Sequence, residues 1–150
     1  MSNKPNIAEH KTFFSTMNII FLGLLSGQII YFSIGLFLVQ SGNMAGIEGV
    51  GTVFMFITPV VVFFSIFASK MIYSRLVNAF DKSRSIEEKL NSYRTSSIVK
   101  LAIIEGANIF TISILIITSD YLYTAFFALL ITFFWLNKPG EEKFRMDYDS

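Results

Sequence analysis

The chain has 150 residues, of which 53% are hydrophobic, 16% aromatic and 15% charged, with a formal net charge of +1. Soluble domains carry about 25% charged residues, so the composition points to a membrane protein, and the near-neutral balance excludes nucleic acid as a partner because phosphate binding needs a sizeable basic surface. With no Cys there is no disulfide framework, no thiolate nucleophile and no Cys-based metal site.

Lys4 and Lys11 open the chain like the basic flank of a signal peptide. The apolar stretch that follows, Phe13 to Val39, far exceeds the ~7–15 residues of a signal core and is long enough to span a bilayer. Cleavage is therefore not expected. Gly23-Leu-Leu-Ser-Gly27 within it is a G-x-x-x-G motif, and Gly35 continues roughly the same face. Small residues let helix backbones approach closely in lipid. The motif reads either as packing within the chain or as the seam of a homodimer. Asn18 and Gln28 are polar groups in a costly setting, expected to hydrogen-bond to other helices.

The Gln40–Gly49 connection carries one acid, Glu48, and no base. Its glycines, Gly46, Gly49 and Gly51, match a phosphate cradle only by letter count, since no Lys follows. A second uncharged span runs from about Val50 to Ser69. Pro59 lies near its middle and removes one backbone hydrogen bond, so a kink is expected there, static or serving as a hinge. Thr58 is placed to compensate with its hydroxyl. Met71, Ile72, Leu76, Val77 and Phe80 carry the helical stripe on to about Phe80.

Asp81-Lys82-Ser83-Arg84 reads as a tight turn at the tip of a helical hairpin. Ser85-Ile-Glu-Glu88 has capping-box spacing, and Ile86, Leu90 and Tyr93 follow at helical intervals. One helix from near Ser85 to Thr118 is expected, with its membrane span at about 101–118. Glu105 is the one ionisable residue inside a span. Ser97, Lys100, Asn108 and Thr111 flank it to form a polar stripe that must face protein or water. Glu105 has three readings: a protonatable carrier, a buried packing group facing Gln28 or Thr58, or a side chain reaching for the interface.

Ser119-Asp120 is too short to cross anything, so the fourth apolar segment, Tyr121 to Leu136, must return antiparallel to the third. Pro139 and Gly140 stop that helix. A tail of mixed charge follows over 137–150, with a membrane-surface turn conceivable around Phe144.

All twelve Lys and Arg fall between Lys4 and Lys11, Lys70 and Lys100, or Lys138 and Arg145, and the two remaining connections carry only acids. Cytoplasmic loops retain Lys and Arg, so both termini and the middle connection are assigned to the cytoplasm. Tyr121 and Tyr123 are expected at the outer interface, Tyr73 and Trp135 at the inner one. No Ser-His-Asp set, H-E-x-x-H motif or metal-ligand cluster occurs, and His10 is the lone His. The sequence implies no metal, no cofactor and no enzymatic activity.

Leu101-Ala-Ile-Ile-Glu105-Gly-Ala-Asn-Ile-Phe110 is similar to the carboxylate-bearing helix of rotary-ATPase proteolipid subunits. The likeness covers one helix, and the glycine-rich partner helix of that family is missing. Tyr93-Arg94, Lys100 to Phe110 and Asn137-Lys-Pro-Gly-Glu-Glu-Lys143 together resemble a group of small four-span membrane proteins of Bacteroidota-type bacteria. That resemblance covers roughly the C-terminal half, implies an inner-membrane location and supplies no activity.

The expected fold is an all-α integral membrane four-helix bundle with cytoplasmic termini and a cytoplasmic helical hairpin over 70–100. The expected role is a non-enzymatic subunit or accessory of a membrane assembly. The lipid bilayer and a second copy or a membrane-protein partner, held through the hairpin, are the expected contacts. The alternatives are an ion- or proton-conducting protein using Glu105 and a binder or transporter of lipid or small solutes.

Overall fold

The computed structural model describes residues 7–42, 46–47 and 49–148, with side chains described from residue 11. Lys4, Glu48 and the His10 side chain lie outside the described residues. The chain is all-α: α1 (Ile7–Gln40), α2 (Val50–Ala79), α3 (Ile86–Thr118), α4 (Leu122–Leu136) and α5 (Glu141–Tyr148), with no strand among the described residues. Residues 11–40 of α1, all of α2 and all of α3 are long and apolar enough to cross a membrane. The 15 residues of α4 rise only about 22 Å, short of a hydrocarbon core of about 30 Å. It meets that length only together with α5, against which it is bent by 71°.

Local chemistry sets the helix ends. Ser85 caps α3: its hydroxyl accepts from the Glu88 N–H at 3.4 Å, and the Glu88 carboxylate accepts from the Ser85 N–H at 3.1 Å. This is the expected capping box, and it satisfies two otherwise orphaned backbone donors. The Asp81 carboxylate closes the turn before it by accepting from the Ser83 N–H and hydroxyl. Ser119 ends α3 in the left-handed region at φ 52°. Gly46 stands so close to the end of α3 that a Cβ there would lie 2.5 Å from the Thr118 carbonyl oxygen, which leaves room for no side chain.

α3 is the central helix, packing against α1, α2, α4 and α5. The core has three tiers. The hairpin end joins Tyr73, Val77, Tyr93, Phe144 and Tyr148, with Phe13 and Phe14 against them. The middle joins Phe21, Leu25, Val62, Leu101, Ile104, Ala107, Leu130 and Phe134. The opposite end joins Val39, Ile114, Leu115 and Tyr123. The outer faces of α1 and α2 remain apolar and exposed, with Phe37, Phe56, Phe63, Phe64 and Phe67 uncovered. Such a surface is stable against lipid and unstable against water.

Three features go beyond the expectations. The tail after Gly140 forms α5, which docks Phe144 and Tyr148 into the hairpin-end tier, because aromatic residues four apart share one helix face. Tyr73 and Tyr123 are buried in the core, while Tyr121 and Trp135 are exposed. Thr58 offers its hydroxyl to no partner, although α2 runs through Pro59 as one helix.

Candidate functional site

Two clusters of polar groups are built into the bundle. The first lies midway along α1 and α3. The Asn108 amide donates to the Gln28 side-chain oxygen at 2.6 Å, with both residues fully buried. The Asn108 carbonyl oxygen, the Gln28 amide nitrogen and the Thr58 hydroxyl find no hydrogen-bond partner. Phe54 packs on Phe110. That contact puts Thr58, one turn further along antiparallel α2, near the level of Gly106, about half a turn from Asn108. The Thr111 hydroxyl bonds back to the Ala107 carbonyl. Three helices therefore each bring a buried polar side chain, Gln28, Thr58 and Asn108, into the middle of an otherwise apolar core.

Glu105 does not join them. At 100° per residue, Ser97, Lys100, Asn108 and Thr111 cluster about 60–140° round α3 from Glu105, and all four are buried. Glu105 stands at the edge of that stripe, half-buried between exposed Ala102 and Gly106, and makes no hydrogen bond among the described residues. Gln28, one of its expected partners, is taken by Asn108.

The small residues of α1 divide in the same way. Gly35 is buried, and a Cβ on it would meet the Ile112 and Ile116 side chains at 3.2 Å. Gly23 and Gly27 are exposed with nothing within 4 Å of a Cβ position. The G-x-x-x-G pair thus packs against no other helix of this chain, while Gly35 does.

The second cluster lies where the middle tier meets the hairpin-end tier. Lys100 on α3 is only 5% exposed, and its ammonium sits 4.6 Å from the centre of the Tyr73 ring. Lys143 on α5 approaches the same ring at 4.9 Å. Lys70 on α2 lies over Phe133 at 5.3 Å, and Lys138, in the turn between α4 and α5, over Phe21 at 5.9 Å. Lys143 and Lys70 both repel the Lys100 charge, and Asp147 attracts it. No carboxylate lies within ion-pair distance of Lys100 among the described residues. The Asp147 carboxylate is engaged by the Tyr73 hydroxyl, which donates to it at 2.6 Å. An aromatic face offsets a cation by about 0.5–2 kcal/mol, less than the several kcal/mol lost on burying an ammonium. Burial and the neighbouring ammoniums of Lys143 and Lys70 therefore disfavour the charged form of Lys100, and an anion placed among these lysines would restore it.

Tyr93 fixes the turn that leads into α5. The Tyr93 hydroxyl donates to the Gly140 carbonyl at 3.0 Å and accepts from the Gly140 N–H at 2.9 Å. The turn that carries Lys138 and leads into Lys143 is thereby fixed to α3. The sequence places Lys100 in a polar stripe along α3 and gives no direct sign that Lys70 and Lys143 lie beside it. The clue lay in Phe144 and Tyr148, whose spacing gives the tail a face to bury.

On the outer side of the hairpin, Leu76, Phe80, Glu88, Asn91, Ser92, Thr95 and Ser96 line an open groove of about 390 Å³. Comparison of the chain with protein-family models, with curated proteins and with solved structures gives no match.

Proposed function

We propose that this is a four-span inner-membrane protein that serves as a non-enzymatic subunit or accessory of a membrane assembly. α1, α2 and α3 each make one crossing, and α4 makes the fourth, with α5 folded back at the inner surface. Both termini and the α2–α3 hairpin face the cytoplasm, because every Lys and Arg lies at that end of the chain's passes. The observation that carries the assembly role is the open Gly23–Gly27 face of α1, which none of the described residues covers. A second helix can approach closely there. The open groove between α2 and α3 on the hairpin offers a cytoplasmic contact for the same assembly.

Purification in mild detergent, followed by cross-linking, tests the role. The wild-type chain is expected to run as a complex, with itself or with another membrane protein. Gly27→Ile is expected to release it as a folded monomer, since the new side chain meets nothing within the chain. A strictly monomeric wild type with no co-purifying partner contradicts the proposal.

One observation favours a second reading, conduction of protons or ions. Glu105 is a half-buried carboxyl inside a span, with no hydrogen bond among the described residues, beside the buried file of Asn108 and Thr111. Ionisable groups in that setting are functional suspects. Flux in liposomes that is abolished by Glu105→Gln supports conduction. Unchanged flux, or none in the wild type, removes it.

A further inference from the structure

We propose that the knot of Lys70, Lys100 and Lys143 is a binding site for the phosphate of an anionic phospholipid in the inner leaflet. The inference goes beyond the assembly role and rests on the membrane placement proposed above. Lys100 of α3 and Lys143 of α5 share the Tyr73 ring, and Lys70 of α2, over Phe133, is near enough to repel the Lys100 charge. The one carboxylate among them, Asp147, already accepts from the Tyr73 hydroxyl. Two ammoniums sharing the Tyr73 ring repel each other, and an anion between them removes that repulsion. Ammonium groups act as compact point charges toward phosphate oxygens, and basic pockets between helices on the cytoplasmic side attract anionic headgroups.

The surroundings fit the rest of such a lipid. Phe63, Phe67 and Lys70 recur at helical spacing along the exposed face of α2, so an apolar track ends in a cation. Lys70 leans over Phe133 of α4. Leu136 and Trp135 are exposed at the end of that same helix. Acyl chains lying along the α2–α4 seam bring the headgroup to the knot. A soluble phosphate compound shares the charge but has no use for the apolar track.

Native mass spectrometry of the full chain, titrated with phosphatidylglycerol or phosphatidylcholine of matched acyl chains, tests this. The wild type is expected to prefer phosphatidylglycerol. Lys70→Gln and Lys143→Gln are each expected to weaken that preference about fivefold. Asp147→Asn is expected to strengthen it, which a purely structural role for the lysines does not foresee. Lys82→Gln at the hairpin tip is expected to leave it unchanged. Unfolding temperatures measured in phosphatidylcholine show whether each variant is folded, and Lys70, exposed on α2, supplies the variant least able to disturb the core. Equal retention of the two lipids, or a preference indifferent to Lys70 and Lys143, overturns the proposal. Displacement of bound phosphatidylglycerol by millimolar inorganic phosphate overturns the lipid as occupant and leaves a site for a soluble anion.

Discussion

Asn108 of α3 and Gln28 of α1 meet through one buried amide hydrogen bond of 2.6 Å. Each leaves its second polar atom unsatisfied, so the pair is half-used. Interhelical bonds of this kind contribute about 0.6–2 kcal/mol in membrane proteins. In a double-mutant cycle of Gln28→Leu and Asn108→Leu, either single change strands a buried amide. We expect the double variant to be more stable than the two single losses added together, by a coupling within that range. Reversible unfolding in mixed micelles measures it, and additivity of the two single changes shows the bond to be idle.

Phe144 anchors α5. It is buried against Phe14, Tyr93 and Tyr148. Truncating a buried Phe to Ala costs about 3–5 kcal/mol. We expect Phe144→Ala to undock α5 and open Asn137–Tyr148 to proteolysis, while α1–α4 keep their helicity by circular dichroism. Protection equal to wild type shows that the docking contributes little.

The hairpin tip responds to acid. Hydrogen bonds from the Ser83 N–H and hydroxyl, reinforced by the nearby Arg84 charge, hold the Asp81 carboxyl below its usual value of 3.8. A lowered folded value means that the stabilisation is complete above the usual value and is lost as pH falls through the lowered one. We expect the protection of the Ser83 and Arg84 amides, measured relative to their intrinsic exchange rates, to fall below about pH 4, and Asp81→Asn to abolish that change in protection. Ser85→Ala, which removes the cap of α3, is expected to destabilise the same turn by about 1 kcal/mol at all pH values.

Gly35 separates packing within the chain from the open face of α1. A Cβ there meets Ile112 and Ile116 side chains at 3.2 Å. Overpacking of this kind costs about 1–3 kcal/mol. Gly35→Leu is expected to lower the unfolding temperature of the monomer, whereas Gly23→Leu leaves it unchanged. Equal effects of the two substitutions contradict this division of α1.

Much of the architecture is written in local chemistry. Ser85 and Glu88 announce a helix start three residues apart, and Asp81 to Arg84 announce the turn before it. Pro139 and Gly140 mark where α4 stops. These signals work because each depends on neighbours along the chain. The burial of Lys100 has no such local cause. It follows from α5 folding back, which depends on Phe144 and Tyr148 finding Tyr93 and on Gly140 finding the Tyr93 hydroxyl, partners more than forty residues away. The same holds for Gly23 and Gly35: they share a sequence signature, and only the position of α3 decides which one is covered. Glu105 stood out as a charge in an apolar run, but its place at the edge of the stripe depends on how α3 is rotated against α1.

The proposed four crossings, with every basic residue on one side, are the central claim of the functional reading. The absence of native Cys allows a direct test. Single cysteines are placed at Ile47, at Ser83 and at Arg145, and intact cells are treated with a membrane-impermeant maleimide. We expect Ile47→Cys to be labelled from outside, and Ser83→Cys and Arg145→Cys only after the membrane is opened. Labelling of Ile47→Cys and Ser83→Cys from the same side, or recovery of the chain in the aqueous fraction without detergent, contradicts that arrangement.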